Sequence, residues 1–564
     1  MQSLLRSRTL SVDRGLTSLG AAMRRVLLAA VALVVALSCA AAARPAATFV
    51  LKGHGWGHGI GLAQYGAQGY ADREGRGYRW ILRHYFPRTS IGSRKATRRV
   101  CLAFGSRSVS FGSASGFSAG RVAQPFGAGT WRVSANGDGR LKLVKGSSVR
   151  RVRNNRVFSP GGSPLALSGA RYRGKITLRL KGRRVWGLNT LGLDAYVRGV
   201  VPREMPSSWH LEALKAQAVA ARTYSLATSG KCTWFGSRAL YPTTSDQVYG
   251  GLDAETGRTN AAVAATARQV LLHNGAPALT VFSSTSGGKT SSVSDEWGSS
   301  QSSYPYLVSV PDPYDRLSPH HNWGPSDADD DCPNAGRDCV WSAGALKRAL
   351  GGNAPSSIRD FRVTNRNGSN RVATARLIGP LGSTTMTGGE LRAELGLRSS
   401  WFTVGVLRLT GGGTIAKGQR RTLHALARNL RGAKLQRKVG GGAWTDIRGI
   451  KGAVNVPVRP RATTLYRLRA GRASTASIRV NVTGQPRFTA REGADALAGV
   501  AAPGEPVQVQ RRGQGGDWVT VAVALTREDG TWRTSLTLVP GTYRVYVASG
   551  GVIGTSPELT VVAG

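Results

Sequence analysis

The stretch YVRGVVPREMPSSWHLEALKAQAVAARTY at residues 196–224 joins a β-like apolar run to a long alanine-rich helix across a short turn that carries one isolated carboxylate, Glu204. Pro202 and Pro206 fix φ on either side and stop a strand or helix from running through the turn. Ser207 and Ser208 are suited to cap a helix over 208–228, with Glu212 in its first turn, where the helix dipole favours an acid. Leu211, Leu214, Ala218, Ala221 and Ser225 then fall on one narrow stripe suited to close backbone packing. A single acid at a rigid strand-to-helix corner suits general acid/base chemistry; the ordinary alternative is a surface glutamate in a capped turn.

Three further segments stand with it: GHGWGHGIGLAQYGAQGYA at 53–71, TTSDQVYGG at 243–251 and FSSTSGGKTSSVSDEWG at 282–298. Together the four resemble the stage II sporulation protein D (SpoIID/LytB) family, over roughly residues 49–405. The characterised members are lytic transglycosylases acting on peptidoglycan, and some have been regarded as amidase enhancers. The resemblance implies that Glu204, within the family's EMP tripeptide, is the catalytic acid/base. Classical glycosidases place two carboxylates across the scissile bond, whereas a lytic transglycosylase needs one. In the family the GHGWGHG segment follows the rest of the domain; here it comes first, which resembles a circularly permuted order. If the segment still closes the site, residue 49 lies beside a last strand at 401–409, and Trp56 lies near Glu204.

Other candidates for the cleft follow from these segments. His54, Trp56, His58 and Gln64 are expected to line it, with Trp56 stacking on a sugar face. His54 and His58 share the spacing of H-E-x-x-H, but Gly flanks Trp56 and the Glu is missing, so no metal is assigned to them. Gln217 and Arg222 lie on the long helix, Arg222 as a carboxylate-orienting group or equally a helix-surface cation. Gln247 and Tyr249 are candidate hydrogen bonders to sugar hydroxyls. Ser286 and Gly287 belong to a Gly-opened surface, with Ser286 as a hydrogen bonder, because no G-x-S-x-G elbow surrounds it. His320 and His321, beside Asp315, are read as solvated. Some family members hold zinc just after the long helix; here that region offers Cys232 and no His, so neither a metal nor another cofactor is expected.

Met23-Arg24-Arg25, the apolar run Val26–Leu37 and the small residues Ala40–Ala43 have the form of a secretory signal peptide over 1–43. Cys39 after Ala36-Leu37-Ser38 is a partial lipobox, so a lipid anchor there is an alternative. An exported, wall-associated protein is expected. The other cysteines, Cys101, Cys232, Cys332 and Cys339, allow three pairings; the short 332–339 loop favours a local bridge, leaving Cys101 and Cys232 to pair. The 77 Lys and Arg against 30 Asp and Glu give a net charge of +47. For an exported polycation the expected partners are peptidoglycan glycan strands and anionic wall polymers, with a wall amidase as a further candidate. The charge reads as spread through every segment with no nucleic-acid module, so no nucleic-acid partner is expected.

Helical spacing at Leu62–Tyr70, Tyr78–Tyr85 and 257–270, set among short strands over 97–190 and a hairpin turning at Lys181-Gly182, predicts an α+β domain over 44–407. Two small all-β sandwich domains are expected to follow at 408–483 and 484–564. LQRKVGGGAWTDI (435–447) repeats as VQRRGQGGDWVTV (509–521), and LYRLRAG as TYRVYVASG. Their Trp and Tyr are expected in the cores.

Overall fold

The computed structural model describes residues 47–564 apart from 121–124, 236–237, 326–329, 332–338, 417, 484–486, 492–495, 502–503, 529–530, 550–551, 557 and 562–564. The expected signal peptide, Cys39 and Cys332 lie outside the described residues. Mixed helices and many strands give an α+β unit joined to strand-rich units.

Helices α1 (Gln64–Glu74) and α2 (Tyr78–Tyr85) follow the Gly-rich run, and α3 (Leu193–Glu204), α4 (Leu211–Ala227) and α5 (Gly257–Ala265) surround one core. The β-like reading of 196–204 is corrected: this is the body of α3. Leu193, Tyr196, Val197, Val200 and Val201 are buried at the i, i+3, i+4, i+7, i+8 spacing of a helix, and that period overrides the strand preference of valine. Pro202 is accommodated in the last turn, which closes with Met205 N–H donating to Val201 O. The cap of α4 is also corrected. His210, not Ser207 or Ser208, receives the Glu212 N–H on Nδ1. Instead of one stripe, α4 buries Ala213, Leu214, Ala216–Thr223 and Ser225, because its small residues let neighbours approach from several sides.

The strand Thr48–His54 pairs antiparallel with Phe402–Thr410, from Thr48 opposite Leu407 to Gly53 opposite Phe402. On its other side it pairs with Asn322–Pro325 and Val340–Ser342. Phe402–Thr410 continues to Arg421–Arg428 and then Gly452–Val458, so one seven-stranded sheet links the Glu204 unit to the first strand-rich unit. The boundary expected at 407/408 falls inside Phe402–Thr410. Leu407, Leu409 and Leu423 share a core with Leu435, Tyr466 and Leu468 of the second sheet.

Tyr466 and Tyr543 are buried as the repeat suggests. Trp444 and Trp518 are not core residues: both are partly exposed, each with a guanidinium (Arg467, Arg544) 4.2 Å over its ring. They stand at or beside the start of outer strands, where one ring face looks away from the sandwich interior.

A further strand-rich unit lies between Thr97 and Gly192. Two sheets enclose Phe111, Phe117, Trp131 and Phe158, and the expected hairpin turns through Gly182-Arg183 with Lys181 opposite Arg184. Cys101 of this unit is bonded to Cys232, beyond α4, across 131 residues of sequence. That bridge ties the strand-rich unit to the loop following the central helix. A cross-link closing so long a loop restricts the unfolded chain and contributes about 2–5 kcal/mol. Cys101→Ser is therefore expected to lower the thermal unfolding temperature. Added reductant should lower the wild type to the same value and leave the variant nearly unchanged; equal unfolding of oxidised wild type and variant would refute the bridge's role.

Candidate active site around Glu204

Glu204 is the last residue of α3, so the negative end of that helix dipole disfavours its ionised form. This reverses the sequence expectation, which set Glu204 against a helix start. Its Oε1 accepts the Val248 N–H at 2.8 Å, and the Gln64 side chain hydrogen-bonds to the same carboxyl. Burial raises its pKa above the ordinary glutamate value; the bonds from Val248 and Gln64 and the charge of Arg203 pull it down but do not prevail. Its chain neighbours Val200, Val201 and Met205 are all buried. Glu212, the other acid of the motif, faces elsewhere. Burial would raise it, but Lys215 at 2.6 Å and the Tyr78 N–H at 2.8 Å outweigh that and keep it ionised.

A second carboxylate, Asp246, escaped the sequence reading. Tyr196 is raised by burial, then by Asp246 and Glu204, and Tyr224 is pushed up to about 12 by burial, Asp246 and Glu204. The two acids thus face one pair of phenols, held protonated. The signal lay in TTSDQVYGG, where Asp246 directly precedes Gln247.

Those two residues sit behind the site rather than in it. Gln247 is fully buried, accepting the Tyr196 O–H at 2.9 Å and donating to Ala221 O at 3.3 Å. Tyr249 is also buried and donates to Asn189 Oδ1 at 2.8 Å. Both are corrected from sugar binders to residues that fix the Val248 N–H on Glu204. Arg222 is corrected likewise. It has no exposed surface, and its guanidinium is committed to Asp194 at 2.8 Å and to the carbonyls of Ala218 and Gln269. Gln217 is buried next to Gln64, at 3.5 Å, and its Nε2 has no acceptor among the described residues.

The Gly-rich segment is built into this unit. Leu62–Ala63 pairs in parallel with Phe282–Ser283, and Trp56 exchanges backbone bonds with Thr285. Gly57, at φ +121°, and Gly59, at φ +70°, would each drive a Cβ into Ser283 or the Arg371 guanidinium, so only glycine permits the approach. The segment ends at Gln64, and this residue, rather than Trp56, hydrogen-bonds to Glu204. Trp56 is 42% exposed, with the Arg398 guanidinium 4.2 Å over its ring and His320 edge-on at 4.6 Å. His320 approaches Tyr65, 6.4 Å between centroids, and Tyr65 packs on Trp209 at 4.8 Å. An aromatic wall thus runs from Trp56 to Trp209 through Tyr65, the residue that follows Gln64.

His54 and His58 do not act as a pair. His54 Nδ1–H donates to Asn322 Oδ1 at 2.6 Å, its ring packs near His321 and Trp401, and burial lowers its pKa. His58 accepts the Ile60 N–H, packs on Trp297, and is held down to about 3 by burial.

Ser286 and Gly287 are buried and spoken for, which corrects their expected contact with substrate. Asp315 accepts both backbone N–H groups, at 2.6 and 2.9 Å, and Asp312 accepts the Ser286 hydroxyl at 2.6 Å and the Tyr85 hydroxyl at 3.0 Å. Asp315 is itself buried and bonded to His321 at 2.9 Å, so His321 is held by this loop rather than simply solvated. Burial and the neighbouring Asp315 raise Asp312 well above the carboxylate range. These acids anchor the loop on which the Gly-rich segment rests.

Residues 181–273, which hold Glu204 and Asp246, match the family model described as Stage II sporulation protein, SpoIID. The chain is 44% identical over 119 residues to the amidase enhancer of Bacillus subtilis (strain 168), covering 21% of this chain and 15% of that protein. It is 31% identical over 229 residues to stage II sporulation protein D of the same strain, covering 38% and 61%. With the Bacillus amyloliquefaciens stage II sporulation protein D it shares 33% over 230 residues, covering 38% and 60%. The chain thus spans less than two thirds of each relative's length. Over these stretches the chain is similar to the stage II sporulation protein D family.

Proposed function

We propose that this protein cleaves peptidoglycan glycan strands as an exported lytic transglycosylase with Glu204 as its single acid/base. The family match and the relatives' names support a cell-wall-related function. The observation that carries the finer reading is a glutamate with a raised pKa, touched by Gln64, whose neighbour Tyr65 belongs to an aromatic wall. In the reaction, protonated Glu204 gives its proton to the leaving glycosidic oxygen as the bond from the anomeric carbon breaks. The resulting carboxylate takes the proton from the muramyl 6-hydroxyl, whose oxygen closes on that carbon. The product is a 1,6-anhydro ring, Glu204 is protonated again and no water is consumed. Exposed Trp56 offers a face for a sugar ring and Arg398 a cation beside it.

Glu204→Gln is expected to abolish 1,6-anhydromuramyl products from purified glycan, read by mass spectrometry, while the fold persists. Because folding raises this pKa, the ionised form is penalised in the native state. The penalty is absent below the unfolded glutamate pKa, grows through the folded pKa and is complete above it. The Gln variant should therefore match or exceed wild-type stability at alkaline pH, and wild-type activity should fall as pH rises through the same folded value. Product release by the variant would remove Glu204 from the mechanism.

Trp56→Ala is expected to raise KM about tenfold, a loss of roughly 1.4 kcal/mol of binding, with a smaller change in kcat. Unchanged kinetics would detach the aromatic wall from substrate.

The 44% identity to an amidase enhancer favours a second reading, a non-catalytic partner that activates a wall amidase. Turnover of glycan by the protein with no amidase present separates the two. Wall binding that stimulates an added amidase, without anhydro products, supports the enhancer.

A further inference from the structure

The positive charge is not evenly distributed, contrary to the sequence reading. Between Thr97 and Gly192 there are nineteen Lys and Arg against one acid, Asp138. Folding gathers them. A concavity of about 310 Å³ is lined by Arg140, Arg150, Arg151, Arg153 and Arg156, with Phe126 buried beneath, and no carboxylate among its lining residues. Asp138 stands 3.9 Å from Arg140 in an exposed pair. Arg150 and Arg151 sit on the strand Ser148–Val152, whose register puts Arg151 opposite Lys142, and Arg156 opens the next strand, in the other sheet. Two sheets therefore fix the cluster. Arg156 Nε–H is buried with no acceptor among the described residues. The guanidinium of Arg150 lies 5.5 Å over the Phe126 ring, which holds its direction without neutralising it.

Gathered like charges repel, and a buried N–H without an acceptor costs stability, so this arrangement contributes nothing to the fold that smaller polar residues would not. Both costs vanish when a multivalent anion occupies the cluster. We infer that this arginine-lined concavity is a phosphodiester-binding site, by which the strand-rich unit holds an anionic wall polymer. Guanidinium forks match phosphate oxygens bidentately. A second concavity on the same unit, about 700 Å³, is lined by Arg107, Lys181, Arg183 and Arg184, with Asn136 at its edge. Asn136 and Arg140 are joined through one turn by the Asn136 N–H to Arg140 O bond, so the two basic surfaces flank that turn and suit successive charges of a polymer. Neither lining has an exposed aromatic ring on which nucleic-acid bases could stack. That the polymer belongs to a wall rests on the proposed function; the phosphodiester chemistry does not.

The full-length protein and its Arg150→Ser/Arg153→Ser/Arg156→Ser variant are compared in co-sedimentation with wall carrying its phosphate polymers and with wall stripped of them. The variant is expected to bind polymer-bearing wall at least tenfold more weakly, with a shallower dependence on salt, and to match the wild type on stripped wall. The corresponding triple Lys variant, which keeps the charge and loses the fork, should fall between them, and it guards against a folding defect in the Ser variant. Glycan cleavage of stripped wall should be the same for wild type and both variants, which separates this site from Glu204. Equal binding of wild type and Ser variant to polymer-bearing wall overturns the inference, as does an equal loss on both walls. Tighter binding of single-stranded DNA than of soluble polyol-phosphate polymer at matched salt, lost in the Ser variant, also overturns it and makes this a nucleic-acid site.

Discussion

The pairing of Thr48–His54 with Phe402–Thr410 is the constraint on which the rest of this molecule depends. It holds the start of the described chain against a strand some 350 residues later, and so fixes where the Gly-rich run begins. From there the run has little freedom. Trp56 is tied to Thr285, Gly59 O accepts from Ser291, and Leu62–Ala63 joins Phe282–Ser283, which delivers Gln64 to Glu204. The partner loop is rigid because Asp312 and Asp315 saturate its donors. A glutamate at the end of a helix thus acquires one of its two hydrogen-bond donors from a segment that lies far from it in sequence.

Two opposed effects meet at Glu204. Apolar burial and the negative end of α3 favour the proton; the donors from Val248 and Gln64 favour its departure. Burial prevails, and the two donors offset part of it. Tyr196 and Tyr224, held protonated beside Glu204 and Asp246, keep two neutral hydroxyls in the vicinity without adding charge. Arg222, which could have competed by pairing with Glu204, is withdrawn by Asp194 to the far side of α4.

Much of this was legible in the sequence because it is local. The helices at α1, α2 and α4, the hairpin at 175–192 and the repeat of the later strand-rich units follow from period, glycine and composition. Glu204 stood out because prolines flank it. What failed was whatever depends on direction. The valines of α3 suggested a strand because β-branching was weighed above their helical spacing. Gln247, Tyr249 and Ser286 were polar residues in promising loops, but polar side chains point inward when a buried backbone or acid needs a partner, and a one-dimensional pattern does not carry that sign. Asp312 and Asp315 carry no signal of their own in the sequence; only the tertiary fold turns them toward Ser286. The pairing of residue 49 with the strand near 401–409 was expected from the resemblance and the displaced Gly-rich segment, and the structure has it; its continuation to 421–428 was not, being made of contacts remote in sequence.

The boundary expected at 407/408 shows how such contacts change an argument. Phe402–Thr410 uses one edge for Thr48–His54 and the other for Arg421–Arg428. Ending the chain there would leave an open strand edge and uncover Leu407 and Leu409, which lie in the core shared with Leu423 and Leu468. The first strand-rich unit is therefore a structural neighbour of the Glu204 unit, coupled through the strand that positions the Gly-rich run. The unit at 97–192 is tied to the Glu204 unit by the disulfide, by the Arg171–Asp253 and Arg173–Glu255 ion pairs and by Tyr249 to Asn189, while its basic face is built from its own two sheets. Its Arg184–Gly192 strand runs directly into the helix that ends at Glu204. A polymer held on that face would bring the protein to its surroundings through the element that carries the acid.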